Sequence, residues 1–345
     1  MEKVTKKIYT ARMESSEKLD RDIRQLQAAK NKWVALPVDR KITLLKELKY
    51  KLGKHARQWV DLSVKHKKIE NHPSLAGEEW STGPWAVLKA ITAYIKTLEH
   101  VLAGNPQKLI KKISQRKNGQ LKLTVFPSDF YDSLLFNQVE AEVWMQEGIS
   151  KNNLASHIAS FYRRKTPKGK VSLVLGAGNV NSISPLDVLY KLFVKGEVVI
   201  LKLNPVNNYL TPVFKEIART LIEEDFLRIV DGGAETGEYL TRHPGIETIH
   251  VTGSEKTFNA IVFGTGPEGE KRKKENRPVM DPGKTITGEL GNVGPLIVVP
   301  GPWHKSDIRF QAENIVTAKV HNGGYNCVAA QVLFCLKNGI SRKSC

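Results

Sequence analysis

The sequence predicts an α/β fold: a helical N-terminal segment, a doubly wound parallel sheet, and the start of a second α/β unit. Three observations carry this expectation. Residues 1 to about 105 have apolar positions at helical spacing, with Leu19, Ile23 and Leu26 on one face. From Lys170 onward, short and almost wholly apolar runs recur every 20–28 residues, with amphipathic segments between them. Strands buried on both faces of a parallel sheet read this way. After a break at 264–283, rich in Gly, Pro and charge, the alternation resumes.

Taken in order, the first helix carries Leu19, Ile23 and Leu26, and a second, with Asp39 as its expected N-cap, carries Leu45, Leu48 and Leu52. A polar, basic stretch from Asn105 to Gln120 leads into LKLTVFP, which reads as a strand. VSLVL (171–175) begins the apolar series. SPLDVLYKLFVKG follows as a helix with Pro185 suited to its first position and Gly196 just past its end. VVILKL (198–203) is the next strand, and TPVFKEIARTLIEE a helix with Thr211 as cap and Pro212 at its first position. FLRIV (226–230), a short helix ending near His243, and TIHVT (248–252) complete this series. The 264–283 segment reads as a surface loop. KTITGEL and PLIVV read as strands, Ser306–Val320 as a helix and AAQVLFCL (329–336) as a last strand.

Composition narrows the function classes. The 345 residues hold no run of eighteen apolar positions, which argues against a membrane span, and the N-terminus lacks the apolar core of a secretory signal. A cytoplasmic location is the expectation. The three cysteines, Cys327, Cys335 and Cys345, fit neither a zinc spacing nor a disulfide framework, so no metal is expected. The net charge is +18, and residues 1–122 supply +15 of it, with 27 Lys/Arg against 12 Asp/Glu. Those bases fall on the polar faces of helices without interleaved aromatics. They describe a solvated surface with weak attraction to polyanions rather than a specific nucleic-acid site.

The chemistry-bearing stretch is HNGGYNCVAAQ (321–331), which mounts Cys327 behind Asn-Gly-Gly between a helix and a strand. A thiolate is a strong nucleophile, and free N–H groups of such a turn stabilise charge on sulfur or on an attacked carbonyl oxygen. A small residue in a tight turn is the bland alternative. Other candidates gather at strand ends, where doubly wound sheets bind ligands. Asn179 follows the first strand in VLGAGNV, Lys202 ends the second, Gly232 follows the third, Thr252, Gly253 and Ser254 end the fourth, and Glu289 lies in TGELGNVGP.

This set, in this order, resembles the aldehyde dehydrogenase superfamily from about Val171 to Phe334. HNGGYNC resembles its Asn-Gln-Gly-Gln-x-Cys, with Asn322 five residues before Cys327. GELGN resembles Glu-Leu-Gly-Gly, VTGS resembles Phe-Thr-Gly-Ser, and GEVVILK resembles the Gly-Asn-x-Val-x-x-Lys strand. GAGN, seventeen positions before that strand's glycine, stands for Pro-Trp-Asn. The resemblance implies oxidation of a small-molecule aldehyde with NAD or NADP. Cys327 would attack the aldehyde, and the Asn179 amide with the Cys327 N–H would hold the oxyanion. Glu289 would be the general base. Lys202 would meet the adenosine ribose and Ser254 the pyrophosphate, with Gly232, Thr252 and Gly253 completing the cofactor-binding set. The residue types also allow plainer roles: a solvated strand end for Lys202, a turn residue for Asn179, a helix cap for Ser254, a surface carboxylate for Glu289.

On this resemblance, residues 1–165 form a helical segment and strand region belonging to the cofactor domain. Residues 166–288 form a Rossmann-like NAD(P)-binding domain, and 289–345 part of a catalytic domain. The sequence also departs from the family. Leu203, Asn204 and Pro205 follow Lys202 where many members keep a glutamate, which makes NADP admissible beside NAD. Asn292 replaces the second glycine of Glu-Leu-Gly-Gly, and extra residues separate Ser254 from Glu289. Members continue well past the cysteine with a Glu-x-Phe-Gly-Pro segment and a strand that builds oligomers. LKNGISRKSC has neither, so a C-terminally truncated chain is expected, with a homo-oligomer possible for a full-length form. The alternative is a non-catalytic remnant that binds nucleotide or a protein partner. An acyl-CoA reductase of the same superfamily is disfavoured by Glu289, because such enzymes commonly lack the base.

Overall fold

A computed structural model of the chain describes residues 15–335; Cys345 lies outside them. Helix α1 (Ser16–Ala35) starts where the Ser15 side chain accepts the Lys18 N–H, and it buries Leu19, Ile23, Leu26 and Trp33. Helix α2 (Val38–Lys67) buries Ile42, Leu45, Leu48, Leu52 and Trp59. Helices α3 (Pro73–Trp80) and α4 (Ala86–Leu102) follow. Strands β1 (Lys112–Gln115), β2 (Leu121–Phe126) and β3 (Ala141–Trp144) make a small antiparallel sheet over a separate cluster of Leu121, Leu123 and Leu154.

The main sheet contains β4 (Lys170–Leu175), β5 (Glu197–Lys202), β6 (Leu227–Val230), β7 (Thr248–Gly253) and β8 (Thr285–Leu290). All its pairings are parallel, in the order β6-β5-β4-β7-β8. Helices α5 (Ile183–Leu189), α6 (Thr211–Ile217) and α7 (Ala234–Arg242) connect the first four strands. Val171, Leu173, Val198, Val199, Ile200 and Ile249 are fully buried, so the central strands are covered on both faces. The N-terminal helices supply part of that cover. Trp33 packs edge-on to Phe193 at 5.2 Å and against Phe226 at 4.8 Å, and its indole N–H donates to the Leu192 carbonyl at 3.0 Å. Trp59 meets Phe214 at 4.7 Å. Helical layer and sheet share one core.

Beyond β7 lie α8 (Glu255–Phe263) and α9 (Gly266–Lys274), which lead to β8. Strand β9 (Gly294–Val298), helix α10 (Lys305–Val320) and β10 (Ala330–Cys335) form a parallel pair with its crossover helix, outside the main sheet.

Several element ends differ from expectation. Helix α2 begins at Val38, with Pro37 before it, so Asp39 is a first-turn residue whose carboxylate accepts the Arg40 N–H at 2.8 Å. Pro185 is the third residue of α5, because the helix starts at Ile183. Thr211 is the first residue of α6 rather than its cap, and its hydroxyl donates to Asp231 at 2.7 Å. The 264–283 stretch contains helix α9, not only loop. Pro267 and Glu268 in its first turn and Lys271 to Lys274 in its last match the helix dipole. Strand β1 lies inside the basic Asn105–Gln120 stretch, and its pairing with β2 supplies the hydrogen bonds that an apolar run would otherwise have signalled. Among the described residues no helix is long and apolar enough to cross a membrane.

Candidate active site

The sheet order reverses direction between β4 and β7, the switch point at whose carboxyl edge doubly wound sheets bind ligands. The loop after β4 carries Asn179, held by Asn207, whose side-chain amide donates to the Ala177 carbonyl at 3.0 Å. The end of β7 carries Thr252, Gly253 and Ser254.

The segment after α10 reaches this edge from the opposite side of the sequence. Asn322, Gly323 and Gly324 have φ of 53°, 62° and 80°, three successive left-handed residues that fold the chain back sharply. Asparagine is among the side chains that tolerate this conformation best. The Asn322 side-chain amide donates to the Asn179 carbonyl at 2.9 Å, and the Asn179 side-chain amide donates to the Tyr325 carbonyl at 2.8 Å. This reciprocal pair brings the loop of the exposed Cys327 against the loop of Asn179. One of the two Asn179 amide protons is thereby engaged, which leaves the other for a ligand oxygen.

Glu289 stands apart. It pairs in register with Thr252 at the carboxyl end of β8, and its exposed side chain makes no hydrogen bond or ion pair among the described residues. Lys202 ends β5 and is 9% exposed. Burial pushes its ammonium down to about 8, opposed by the nearby Asp231 carboxylate. Gly232 has φ of 143°, and a Cβ there would lie 2.1 Å from the Thr236 hydroxyl, so only glycine fits between β6 and α7. Ser254 caps α8 by accepting the Thr257 N–H at 3.1 Å. Thr252 donates to Asp187 at 2.7 Å, and His250 approaches the same carboxylate at 3.5 Å. No group of metal-ligating side chains occurs among the described residues.

Sequence reasoning missed the residues that hold the cysteine loop from below. Glu78 and Lys67, on α3 and α2, both bond to Asn322. Lys67 reads in the sequence as one base of a solvated helical face and Glu78 carries no signal, because no local pattern marks a contact more than 240 residues away in sequence. Asp187 and His250 were missed for the same reason, although a histidine inside an apolar strand is itself a signal that a partner is present.

The sequence profile of the Aldehyde dehydrogenase family matches residues 75–342. The chain belongs to that family. Among its relatives, an N-succinylglutamate 5-semialdehyde dehydrogenase from Sphingopyxis alaskensis is 28% identical over 172 residues, covering 49% of this chain and 32% of that protein. Aldehyde dehydrogenase family 3 member B3 of Mus musculus is 22% identical over 289 residues, covering 82% of this chain and 54% of that protein. Among solved structures, an NADP-dependent glyceraldehyde-3-phosphate dehydrogenase from Bacillus halodurans, complexed with NADP, aligns over 94% of this chain and 54% of its own. Its TM-score is 0.58 at 18% identity, a likeness of fold. The chain thus spans between a third and about half of the length of these relatives.

Proposed function

We propose that this chain carries the dinucleotide site and the nucleophile loop of an NAD(P)-dependent aldehyde dehydrogenase. The observation that carries the reading is the pair of bonds from Asn322 to the Asn179 carbonyl and from Asn179 to the Tyr325 carbonyl, which seats the cysteine loop against the loop that follows β4. Three features support a bound dinucleotide. The Lys202 ammonium is buried at a strand end without a hydrogen bond among the described residues. The turn at Gly232 is closed to any side chain. The N-terminus of α8, a nine-residue helix, opens at Ser254 beside the switch point. Lys202 would hold the adenosine ribose and Ser254 the pyrophosphate, with Gly232, Thr252 and Gly253 shaping the pocket. A bound nicotinamide supplies the hydride acceptor.

The chain's own residues do the rest. The Cys327 thiol loses its proton to solvent and Sγ attacks the aldehyde carbon, forming a C–S bond as the carbonyl π pair moves to oxygen, where the free proton of the Asn179 amide and the Cys327 N–H stabilise the oxyanion. Once the carbon is oxidised to a thioester, Glu289 takes a proton from water, the hydroxide attacks the carbonyl, and the C–S bond breaks to release the acid. A test mixes purified chain with NAD or NADP and a panel of aldehydes and follows absorbance of the reduced cofactor. Turnover is expected to vanish in Cys327→Ala; turnover that survives the substitution overturns the assignment of the nucleophile.

A second reading, a chain that binds the dinucleotide without turnover, draws on the absence, among the described residues, of any hydrogen bond joining Glu289 to the Asn179 and Cys327 loops. Equilibrium titration with dinucleotide separates the two, because this form binds cofactor yet makes no acid.

A further inference from the structure

The loop that presents Cys327 is bound from the helical layer as well as from the sheet. Lys67 is the last residue of α2, and its ammonium donates to Asn322 Oδ1 at 3.2 Å and to Glu79 Oε1 at 2.5 Å. Glu78 Oε2 accepts the Asn322 backbone N–H at 2.9 Å. Together with the Asn322 amide bond to Asn179, these contacts engage the backbone donor, the side-chain acceptor and the side-chain donor of a single left-handed residue.

The base of this arrangement is built rather than incidental. Glu79 is 3% exposed, and its second oxygen accepts from the Asn181 amide at 3.3 Å. Asn181 spends its other amide proton on Ser63 at 3.0 Å, and its buried carbonyl oxygen is left without a partner. An amide that forgoes an acceptor bond in order to donate twice is oriented by what it donates to, here Glu79 and the Ser63 that Trp59 and Tyr209 surround. Two donors, Lys67 and Asn181, converge on the two oxygens of this buried carboxylate.

We infer that Lys67 and Glu78 are positioning residues that clamp Asn322 in its left-handed conformation and thereby fix where Cys327 meets Asn179. The inference deepens the proposed function, since a nucleophile must be held within a fraction of an ångström of its productive place. Both act through Asn322, the residue that each of them bonds. The helix pair α2–α3 thus serves the reactive loop as well as the core.

Two measurements on the full chain test this without requiring turnover. Backbone hydrogen exchange over 321–329 is compared among the native chain, Glu78→Ala, Lys67→Met and Lys67→Arg. Loss of a charge-assisted hydrogen bond corresponds to about tenfold faster opening. Exchange in the loop is expected to rise by that factor in the Ala and Met variants, to return toward the native rate in Lys67→Arg, and to stay unchanged in β5. Alkylation of Cys327 by iodoacetamide, mapped by peptide mass and divided by the rate at Cys335 in the same chain, is expected to change in Glu78→Ala and Lys67→Met and to be restored in Lys67→Arg. A loop whose exchange and alkylation ratio match the native chain in both variants overturns the clamp. So does faster exchange that extends equally to β5, which marks general loosening. A chain inert toward every aldehyde leaves the clamp test intact, so failure of the catalytic reading is distinguishable from failure of this one.

Discussion

Lys41 is 1% exposed, on the first turns of α2, with an ammonium 5.1 to 5.4 Å from the ring centres of Trp33, Phe161 and Tyr162. Rings attract a cation, but among the described residues no carboxylate joins them, and burial lowers the Lys41 ammonium from the ordinary 10.5 to about 8. The sign follows from proton counts. Between pH 8 and 10.5 the unfolded chain holds more protons at this site than the folded one, so the site's contribution to stability rises with pH across that window. It is lost as pH falls through 8. Lys41→Met is expected to stabilise the fold at pH 7 by about 1–3 kcal/mol. Urea melts at several pH values check this, and the advantage of Met should shrink between pH 8 and 10.5. An advantage that does not vary with pH would mean that the charge of Lys41 is not what burial penalises.

At the scale of elements, the π-helical segment Tyr190–Lys195 that extends α5 toward β5 ends at Gly196, which has φ of 72°. A Cβ there would lie 2.0 Å from the Phe161 ring, itself buried beneath the turn. Gly196→Ala therefore combines left-handed strain with overpacking, and a loss of about 2–4 kcal/mol in denaturant melts is expected; a change within 0.5 kcal/mol, the usual range for a neutral surface substitution, would contradict the reading. This element was legible beforehand, because a glycine directly after an amphipathic run and before VVILKL marks a helix end. Four of the five sheet strands were legible for a related reason: runs such as VSLVL are buried on both faces and admit few polar residues, whereas β8 is largely exposed. Helix α9 was not, because it buries no apolar side chain and only the order of its charges marks it. Ser254 illustrates a further limit. A helix cap and a phosphate seat ask for the same residue at the same place, so sequence alone could not divide the two roles, and the bond to Thr257 accounts for the first.

At the scale of the whole molecule, Trp33 joins helical layer and sheet. Trp33→Ala removes its contacts with Phe193 and Phe226 and leaves the Leu192 carbonyl without its donor, a loss of about 3–5 kcal/mol. Because one core spans both layers, far-ultraviolet circular dichroism and tryptophan fluorescence should report a single coincident transition; separated midpoints would show that the layers unfold independently. The candidate site was legible to the extent that its residues follow strands in a fixed order. Its assembly was less so. Asn179 and the Cys327 loop meet through side-chain amides across 146 positions, and the clamp beneath them spans more than 240. Glu289 follows its strand to the same edge yet, among the described residues, makes no hydrogen bond to either. Contacts of this range come from the topology of the sheet, which reverses at β4 and β7, and leave no local trace.

The most direct test of the central claim is chemical trapping of the nucleophile. The Glu289→Gln variant is incubated with dinucleotide and an aldehyde, and its peptides are mapped by mass. An added acyl group is expected on the peptide of Cys327, dependent on the dinucleotide and absent from Cys335. An acyl group shared equally by both cysteines, or formed without dinucleotide, would contradict the central claim.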